Sequence, residues 1–430
     1  MRILVMFFAI AVFICLSFGM SSKSSAELST SDAVFTIFFT GNEMGTLKPC
    51  GCSGGQLGGL ERRRAIFESV AKTRRMIVDT GMLIDGDDEQ EMIKFGIVTE
   101  AYNLLGYDVV NLTKDDLQMA KNLGISSSGV LNFISAWGSD EKISSSGHKK
   151  FSLSGKDVVV NIISSEAASV SNLKDSLAKE SGSINILILD ECNDVVVDLI
   201  SKMDNISCVI CPAESDEPMK VSDVKGKPLF ITVGRRGKYV AKVEVKSNLA
   251  TKKYELSFSS VPVAEHLHED EDLAGLYKSY QLLVKEADIM SMRSRFTLDD
   301  DLEYVGSDKC QKCHKYENAK WSELRHAGAF ETLVDVGSDY DPECVSCHVV
   351  GYDYVSGFVS IERTETLKGV GCEVCHGPGS KHVETFGEAL TNGPKLDCTA
   401  CHTPEHSAKY SGNEDSYFKK IIHWQGTNDE

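Results

Sequence analysis

Basic residues are the first shortage in this chain. Its 430 residues include 45 Lys and Arg against 63 Asp and Glu, which gives a formal net charge of −18. A nucleic-acid-binding protein needs a basic surplus to neutralise phosphates, so nucleic acid is excluded as an expected partner. The acidity either keeps the protein soluble or steers a basic protein towards it.

Two further absences narrow the chemistry. No methionine occurs after Met292, so a methionine thioether is excluded as a metal ligand in the carboxyl-terminal part of the chain. The glycine-rich stretch CGCSGGQLGG, residues 50–59, lacks the GK[ST] ending of a P-loop and contains no GxGxxG motif. A phosphate-binding loop is therefore only weakly supported.

Cysteine is concentrated at the other end of the chain. Eight of the fourteen cysteines fall in four CxxCH motifs after residue 309. From one turn of helix, the two thiols of such a motif can reach two haem vinyl groups while the adjacent imidazole binds the iron. Zinc ribbons are the alternative, but they need no histidine after each pair of thiols. We therefore predict four covalent c-type haems, held by Cys310, Cys313 and His314; Cys344, Cys347 and His348; Cys372, Cys375 and His376; and Cys398, Cys401 and His402.

The predicted haem region is small for the four haems that it would bind. Residues 303–430 number 128, or 32 for each haem, so the haems must form most of the core and lie close together. Because methionine is absent, each remaining axial position is taken by histidine or is open. Four further histidines are available, each of which is otherwise a plain surface residue: His326, His382, His406 and His423.

Spacing separates two of these four histidines. His423 is far enough along the chain from His402 to fold back onto a neighbouring haem, so we favour it as a ligand. His406 lies only four residues beyond His402, in a loop with Pro404, and is the doubtful ligand.

Three segments of this region resemble the tetrahaem cytochrome c554 family. They read CQKCHKYENAKWSELRHAGAF, CEVCHGPGSKH and CTACHTPEHS, and they share with the family Trp321, His326, Gly377, Pro378, Gly379 and His382 besides the motifs. The resemblance implies a mainly helical, haem-packed region that transfers electrons. It also implies that His382 caps the first haem and His326 the third or fourth, and that one haem can be five-coordinate. The second haem, on His348, is then the candidate open site.

The amino terminus predicts export. Met1 and Arg2 precede a nearly unbroken apolar run, residues 3–18, and small and polar residues follow as far as Ala26. This pattern is typical of a secretory signal peptide, residues 1–26. An uncleaved membrane tether is the alternative, although the run is short for a stable anchor. Since haem is attached to CxxCH outside the cytoplasm, we expect an exported, periplasmic or otherwise extracytoplasmic protein.

Residues 27–262 alternate strand-like apolar runs with amphipathic stretches, which predicts one α/β domain. The segments FFTGNEMG, GGLERR, MIVDTGM, LGYDVVNLTKDDL and LFITVGRRGKYVAKVEV resemble the calcineurin-like metallophosphatase domain of secreted 5'-nucleotidases. The resemblance implies an α/β sandwich that normally binds two metals and a phosphate. A helical linker, residues 263–302, then leads to the haem domain, residues 303–430; its apolar face predicts a helix from about 270 to 290.

The metal ligands that this resemblance implies are largely missing. The corresponding positions hold Asn42 and Met44, Met82, Lys114 and Asp115, and Cys211 and Pro212. Between residues 27 and 262 the only histidine is His148. We therefore interpret the domain as a degenerate scaffold, and a metal-dependent hydrolase is disfavoured.

Five cysteines of this domain lie outside CxxCH motifs: Cys50, Cys52, Cys192, Cys208 and Cys211. Cys208 and Cys211 form a CxxC without a following histidine, which excludes haem attachment. In an oxidising compartment we favour structural disulfides. Buried thiols, or a four-thiolate metal site that includes Cys50 and Cys52, are the alternatives.

The sequence thus predicts a periplasmic electron-transfer protein with four closely spaced haems and other redox proteins as partners. The alternative is an oxidoreductase in which a five-coordinate haem binds or converts a small nitrogen or oxygen species, so whether the chain is an enzyme stays open. Membrane association is expected only through an uncleaved amino-terminal segment.

Overall fold

A computed structural model describes residues 33–49, 55–125, 129–138, 143–153, 156–177, 183–222, 228–248, 253–391 and 397–424. The predicted signal peptide, Cys50 and Cys52 lie outside these ranges. Within them, none of the helices has the length and apolar character needed to cross a membrane.

Two six-stranded sheets form the amino-terminal region. The strands are β1 (Ala33–Thr40), β2 (Arg75–Asp79), β3 (Val109–Asn111), β4 (Phe133–Ile134), β5 (Ser146–Leu153), β6 (Lys156–Ser165), β7 (Ser183–Leu189), β8 (Cys208–Ile210), β9 (Lys220–Ser222), β10 (Leu229–Ile231), β11 (Tyr239–Asn248) and β12 (Lys253–Pro262). The first sheet has the order β12-β11-β1-β2-β3-β4, with β1 to β4 parallel. The second has the order β5-β6-β7-β8-β10-β9, with antiparallel strands at both edges.

The two sheets pack face to face. Phe35 and Ile37 of β1 meet Val160 of β6 in a shared core, and the ring of Phe35 stacks on that of Phe151 with centres 4.2 Å apart. Because successive residues of a strand point to opposite faces, Phe38 points outwards to a second core beneath helices. The predicted α/β sandwich is confirmed.

Helices cover both outer faces. They are α1 (Leu60–Glu68), α2 (Glu89–Leu105), α3 (Lys114–Asn122), α4 (Val170–Ser176), α5 (Asp194–Ile200), α6 (Glu271–Ala287) and α7 (Ile289–Met292). The side chains of Asp88 and Asp270 accept backbone N–H groups at the starts of α2 and α6, as N-cap residues do. Although α6 lies in the predicted linker, its Leu273, Tyr280 and Val284 are buried in the core of the first sheet.

Four strands, β4, β5, β9 and β12, are not evident from the sequence pattern, and neither is helix α4. In β12, an edge strand, Tyr254, Leu256 and Phe258 are partly buried while the residues between them are more exposed. A strand with one exposed face has no continuous apolar run, so only its alternation could have revealed it.

A disulfide joins Cys192, beyond the end of β7, to Cys211, beyond the end of β8, with Cα atoms 5.6 Å apart. Cys208 instead points into the core between the sheets, and burial raises the pKa of its thiol. Since positions three apart on an extended segment face opposite sides, the CxxC sequence does not act as a dithiol. The favoured disulfide is present, and the alternative of a four-thiolate metal site is wrong.

The carboxyl-terminal region is mainly helical, as predicted. Its helices are α8 (Ser307–Cys310), α9 (Lys315–Trp321), α10 (Ala329–Val336), α11 (Pro342–His348), α12 (Ile361–Thr364), α13 (Cys372–His376), α14 (Ser380–Glu384) and α15 (Glu414–Lys419). A small apolar core around Phe330, Val345 and Phe358 joins α10 to α11.

Candidate haem-binding centre

Each of the four CxxCH motifs folds into a helical turn. The second lies in α11 and the third forms α13. In the first and fourth, the backbone N–H of His314 donates to the carbonyl of Cys310 at 2.9 Å, and that of His402 to the carbonyl of Cys398 at 2.8 Å. A turn closed in this way brings the first cysteine and the histidine to one side, as attachment of a haem requires.

The four motifs lie close together, and Cys375 of the third is near enough to Cys398 of the fourth for their charges to interact. The side chain of Cys310 lies beside that of Cys372, and the side chain of Cys347 lies beside that of Cys401. These sulfur atoms stand for the thioether sulfurs of the haem-loaded protein. The first motif therefore adjoins the third, and the second adjoins the fourth.

Three motif histidines each face a second imidazole from a distant part of the chain. The pairs are His314 with His382, His402 with His326 and His376 with His423, with ring centres 5.9, 6.2 and 6.4 Å apart. An imidazole nitrogen lies about 1.1 Å from its ring centre and about 2.0 Å from a metal it binds, so two imidazoles on opposite sides of one metal have centres about 6.2 Å apart. The spacing of all three pairs fits a metal between them.

Hydrogen bonds set the tautomer of three of the histidines. Nδ1 of His348, His382 and His423 donates to the carbonyls of Ala329, Ala389 and Ile421, at 2.6, 2.8 and 2.8 Å. Since a carbonyl only accepts, Nδ1 carries the proton and Nε2 keeps the lone pair that a metal needs. Burial lowers the pKa of His326, His376 and His402, which also favours the neutral ligand form.

The second motif differs from the other three. Among the described residues, His348 has no imidazole facing it in this manner. The exposed His406 contacts Thr403 through Nδ1 at 2.9 Å and lies near enough to Cys347 for their charges to interact. The structure thus brings His406 to the second motif and leaves it outside the imidazole pairs.

A cleft lies beside the third motif. It is lined by Cys372, Cys375 and His376 of the motif and by His423, Trp321 and Ile421. Nε1 of Trp321 donates to the carbonyl of Val370 at 3.2 Å, which holds the indole at the wall of the cleft. The cleft thus combines thiol and imidazole groups with apolar walls, the types of side chain that bind a haem.

Glu373 is a functional residue that the sequence reasoning missed. This carboxylate, 4% exposed, accepts backbone N–H groups of Val305, Gly306 and Gly379 at 2.7–3.1 Å. It therefore fastens the segment before the first motif to the third motif and to the turn that leads to His382. Glu373 occupies a position that the CxxCH motif does not specify, so no feature of the sequence reveals this role.

The loops of the amino-terminal region where metal ligands were implied keep an unusual backbone. Asn42, Met44 and Met82, at three of those positions, and Arg236, in the loop before β11, are non-glycine residues with positive φ, between 51° and 61°. Asn42 donates from its side chain to the carbonyl of Gly234 at 2.7 Å, and Met44 contacts Arg235 through its sulfur. In the described part of the chain, no group of three His, Cys, Asp or Glu side chains is arranged to hold a metal ion.

The family model described as cytochrome c554 and c-prime matches residues 309–377, which include the first three CxxCH motifs. The carboxyl-terminal region is cytochrome c554-like. Cytochrome c-554 of Nitrosomonas europaea is 29% identical over 188 residues, which cover 31% of this chain and 80% of that protein. The predicted resemblance to this family is confirmed.

Solved structures similar to this chain include a phosphoesterase and nucleotidases. A calcineurin-like phosphoesterase, YfkN, from Bacillus subtilis is 13% identical with a TM-score of 0.45 and covers 59% of this chain and 98% of its own. A 5'-nucleotidase precursor from Thermus thermophilus is 15% identical with a TM-score of 0.46, covering 70% and 68%. Haemophilus influenzae NAD nucleotidase is 11% identical with a TM-score of 0.49, covering 77% and 74%.

Buried charges lie beneath the loops of the amino-terminal region that contain Asn42, Met44, Met82 and Arg236. Nη2 of Arg63 donates to Oε2 of Glu43 at 2.6 Å, and neither side chain is exposed. Gly237 allows this packing, because a Cβ there would lie 1.7 Å from Nη2 of Arg63. Asp79, also fully buried, accepts hydrogen bonds from Thr40 and Tyr102. Burial, with a smaller contribution from Glu43, raises the pKa of Asp79 to about 7.

Stability should therefore depend on the protonation of Asp79. Between its ordinary pKa of 3.8 and about 7, the folded protein holds a proton that the unfolded chain has released, so stability is lost as the pH rises through this window. The shift corresponds to a loss on the order of a few kcal/mol. Urea unfolding of wild type and Asp79→Asn between pH 4.5 and 8 should show a flatter dependence in the variant. Parallel curves would contradict the shifted pKa.

Proposed function

We propose that the carboxyl-terminal region binds four c-type haems and transfers electrons between redox proteins. The observation that carries this proposal is the set of three imidazole pairs, 5.9–6.4 Å apart, each built on a CxxCH histidine. Bound haem iron supplies one-electron redox chemistry. The residues of the chain would hold, orient and pack the four groups.

Individual residues have separate roles in this proposal. The eight motif cysteines would attach the haems, and the four motif histidines would each supply one imidazole ligand. His382, His423 and His326, which face the histidines of the first, third and fourth motifs, would supply the second imidazoles of those haems. The contacts of Cys310 with Cys372 and of Cys347 with Cys401 support haems that lie side by side, as electron transfer requires.

The compartment and partners belong to the same proposal. Attachment to CxxCH and the signal-like residues 1–26 support a periplasmic or other extracytoplasmic location. The net charge of −18 favours a partner with a basic surface, which electrostatic attraction would steer.

A second candidate function rests on the second motif. His348 has its Nδ1 proton fixed by Ala329 but lacks a facing imidazole among the described residues. The second haem would then have an open coordination position at which a small nitrogen or oxygen species binds. The chain would in that case be a haem oxidoreductase rather than an electron carrier alone.

Electron paramagnetic resonance of the oxidised protein, with the haems counted by intact mass on the same sample, tests both functions. We expect four haems, three of them low-spin with two axial imidazoles and one high-spin. A high-spin signal that shifts when nitric oxide is added favours the oxidoreductase. Four low-spin signals would mean that another histidine, His406 among the candidates, closes the second haem. Fewer than four haems would overturn the proposal.

A further inference from the structure

The amino-terminal domain, without the linker that follows residue 262, contacts the haem region at two places. Among the described residues, the side-chain hydrogen bonds and ion pairs that join them link α2 to the start of α11, and the loops near β1 and β11 to the loop after the fourth motif. Neither place involves the first or the third motif.

At the first place, two residues of α2 hold the start of α11. Gln90 and Lys94, one helical turn apart, are 7% and 2% exposed. Nε2 of Gln90 donates to Oδ1 of Asp341 at 2.9 Å, and Nζ of Lys94 forms an ion pair with Glu343. Asp341 also caps α11 by accepting the N–H of Glu343 at 3.1 Å. The residue that begins the helix of the second motif is thus shared with the amino-terminal region.

Helix α6 of the linker adds hydrogen bonds to the first of these contacts. Nε2 of Gln281 donates to Oδ2 of Asp341 at 3.0 Å, and Nε2 of Gln90 also donates to the hydroxyl of Tyr280 at 2.7 Å. Asp341 is 3% exposed, so its carboxylate depends on these protein donors in place of water. The network therefore fixes where α11 starts.

At the second place, residues from two loops of the amino-terminal region bind Glu405. Nη1 of Arg236, one of the positive-φ residues, forms an ion pair with the carboxylate of Glu405. Nε2 of Gln56 donates to the backbone carbonyl of the same residue at 3.1 Å. Both the side chain and the backbone of Glu405 are therefore tied to the amino-terminal region.

Both places lie near the second motif, and the second place also lies beside the fourth. Asp341 and Glu343 immediately precede Cys344, the first attachment residue of the second motif. The loop that carries Glu405 also carries His406, which lies near Cys347 of that motif. The first and third motifs are joined instead through their own Glu373.

We propose that Lys94, Gln90 and Arg236 are positioning residues of the second haem site. Through them the amino-terminal region influences the geometry of the second haem and of its neighbour on the fourth motif, but not that of the first or third haem. The inference rests on the proposed function, because it requires that residues 344–348 bind a haem. This role gives a physical reason why the two regions occur in one chain. The degenerate domain supports the second haem site, the one whose motif histidine has no imidazole facing it among the described residues.

The test uses the full-length, haem-loaded protein and the variants Lys94→Met and Arg236→Met. A variant with Cys344→Ala and Cys347→Ala lacks the second haem, and the signal it loses identifies that haem in the spectrum and in a potentiometric titration. We expect Lys94→Met to shift the midpoint potential and the paramagnetic signal of the second haem and to change its cyanide affinity about tenfold, as changes around a metal ligand commonly do. Arg236→Met should shift the midpoint potential and the paramagnetic signal of the second haem, whether or not those of the fourth haem also shift.

Two control variants separate positioning from general damage. Lys149→Met breaks an ion pair with Asp108 inside the amino-terminal region, 2.7 Å long, and should leave all four haems unchanged. Lys94→Arg keeps the cation and should restore wild-type signals. If Lys94→Met does not load haem, Gln90→Leu removes one donor from Asp341 without stranding a charge and should shift the same haem.

Each outcome decides the matter. A shift confined to the second haem, with or without the fourth, supports the inference. Unchanged signals, equal shifts of all four haems, or the same effect from Lys149→Met would overturn it while the proposed function stands. A wild-type protein with fewer than four haems would instead remove the proposed function itself.

Discussion

Removal of the His423 imidazole should open the haem on the third motif. The ring of His423 lies 6.4 Å from that of His376, and its Nδ1 is committed to the carbonyl of Ile421, so Nε2 is the free nitrogen. In His423→Ala we expect one low-spin signal to disappear and one high-spin signal to appear in the electron paramagnetic resonance spectrum of the oxidised protein. The haem count should stay the same, because the cysteines of the motif are untouched.

His406→Ala is the matched control for this prediction. It removes the same side chain from an exposed position whose ring belongs to none of the described imidazole pairs. The number of low-spin haems should not change. The assignment of His423 fails if the two variants exchange their results, with His406→Ala creating the new high-spin haem.

Replacement of Arg63 by methionine should strongly destabilise the amino-terminal region. Both Arg63 and Glu43 have fully buried side chains, so the variant leaves a carboxylate without a cation and away from water. Breaking a buried ion pair from one side typically lowers the free energy of unfolding by about 3–5 kcal/mol. Urea unfolding of the full-length protein, followed by far-ultraviolet circular dichroism, measures the loss.

Two further variants show whether the stranded charge causes this loss. Arg63→Met combined with Glu43→Gln removes the uncompensated charge and should recover much of the stability. Lys202→Met breaks a pair with Asp198 in which both side chains are 68% exposed, and it should change stability by less than about 1 kcal/mol. If the single and double variants at the buried pair are equally unstable, lost packing rather than charge is responsible.

Local signals in the sequence predicted the parts of this protein that depend on neighbouring residues. The CxxCH spacing defines a single turn, and the apolar runs of β1, β2 and β7 mark buried strands because both of their faces are covered. Helix α6 could be predicted for a different reason: only one of its faces is buried, so its apolar residues recur at helical spacing. Edge strands such as β12 escaped prediction because half of their residues face water.

Contacts between distant segments could not be predicted in this way. Lys94 and Glu343 are 249 residues apart, and nothing near either residue indicates the other. The pairing of His402 with His326 likewise depends on how the short helices pack, so the resemblance to cytochrome c554 narrowed the fourth haem's partner without deciding it. The disulfide was expected as a class, but its pairing follows from which side of β8 each cysteine faces.

The sulfur contacts of this chain impose an order on its biosynthesis. Cys192 must be oxidised against Cys211, yet Cys310 and Cys372, and likewise Cys347 and Cys401, lie close enough to be oxidised against each other in the wrong pairings. If the chain is exported and binds four haems as proposed, the cell must therefore complete one disulfide while it keeps eight thiols reduced until haem is attached. The amino-terminal domain emerges first and can close its bridge before the first CxxCH follows, so the order of the two regions along the chain separates the oxidising step from the reducing one.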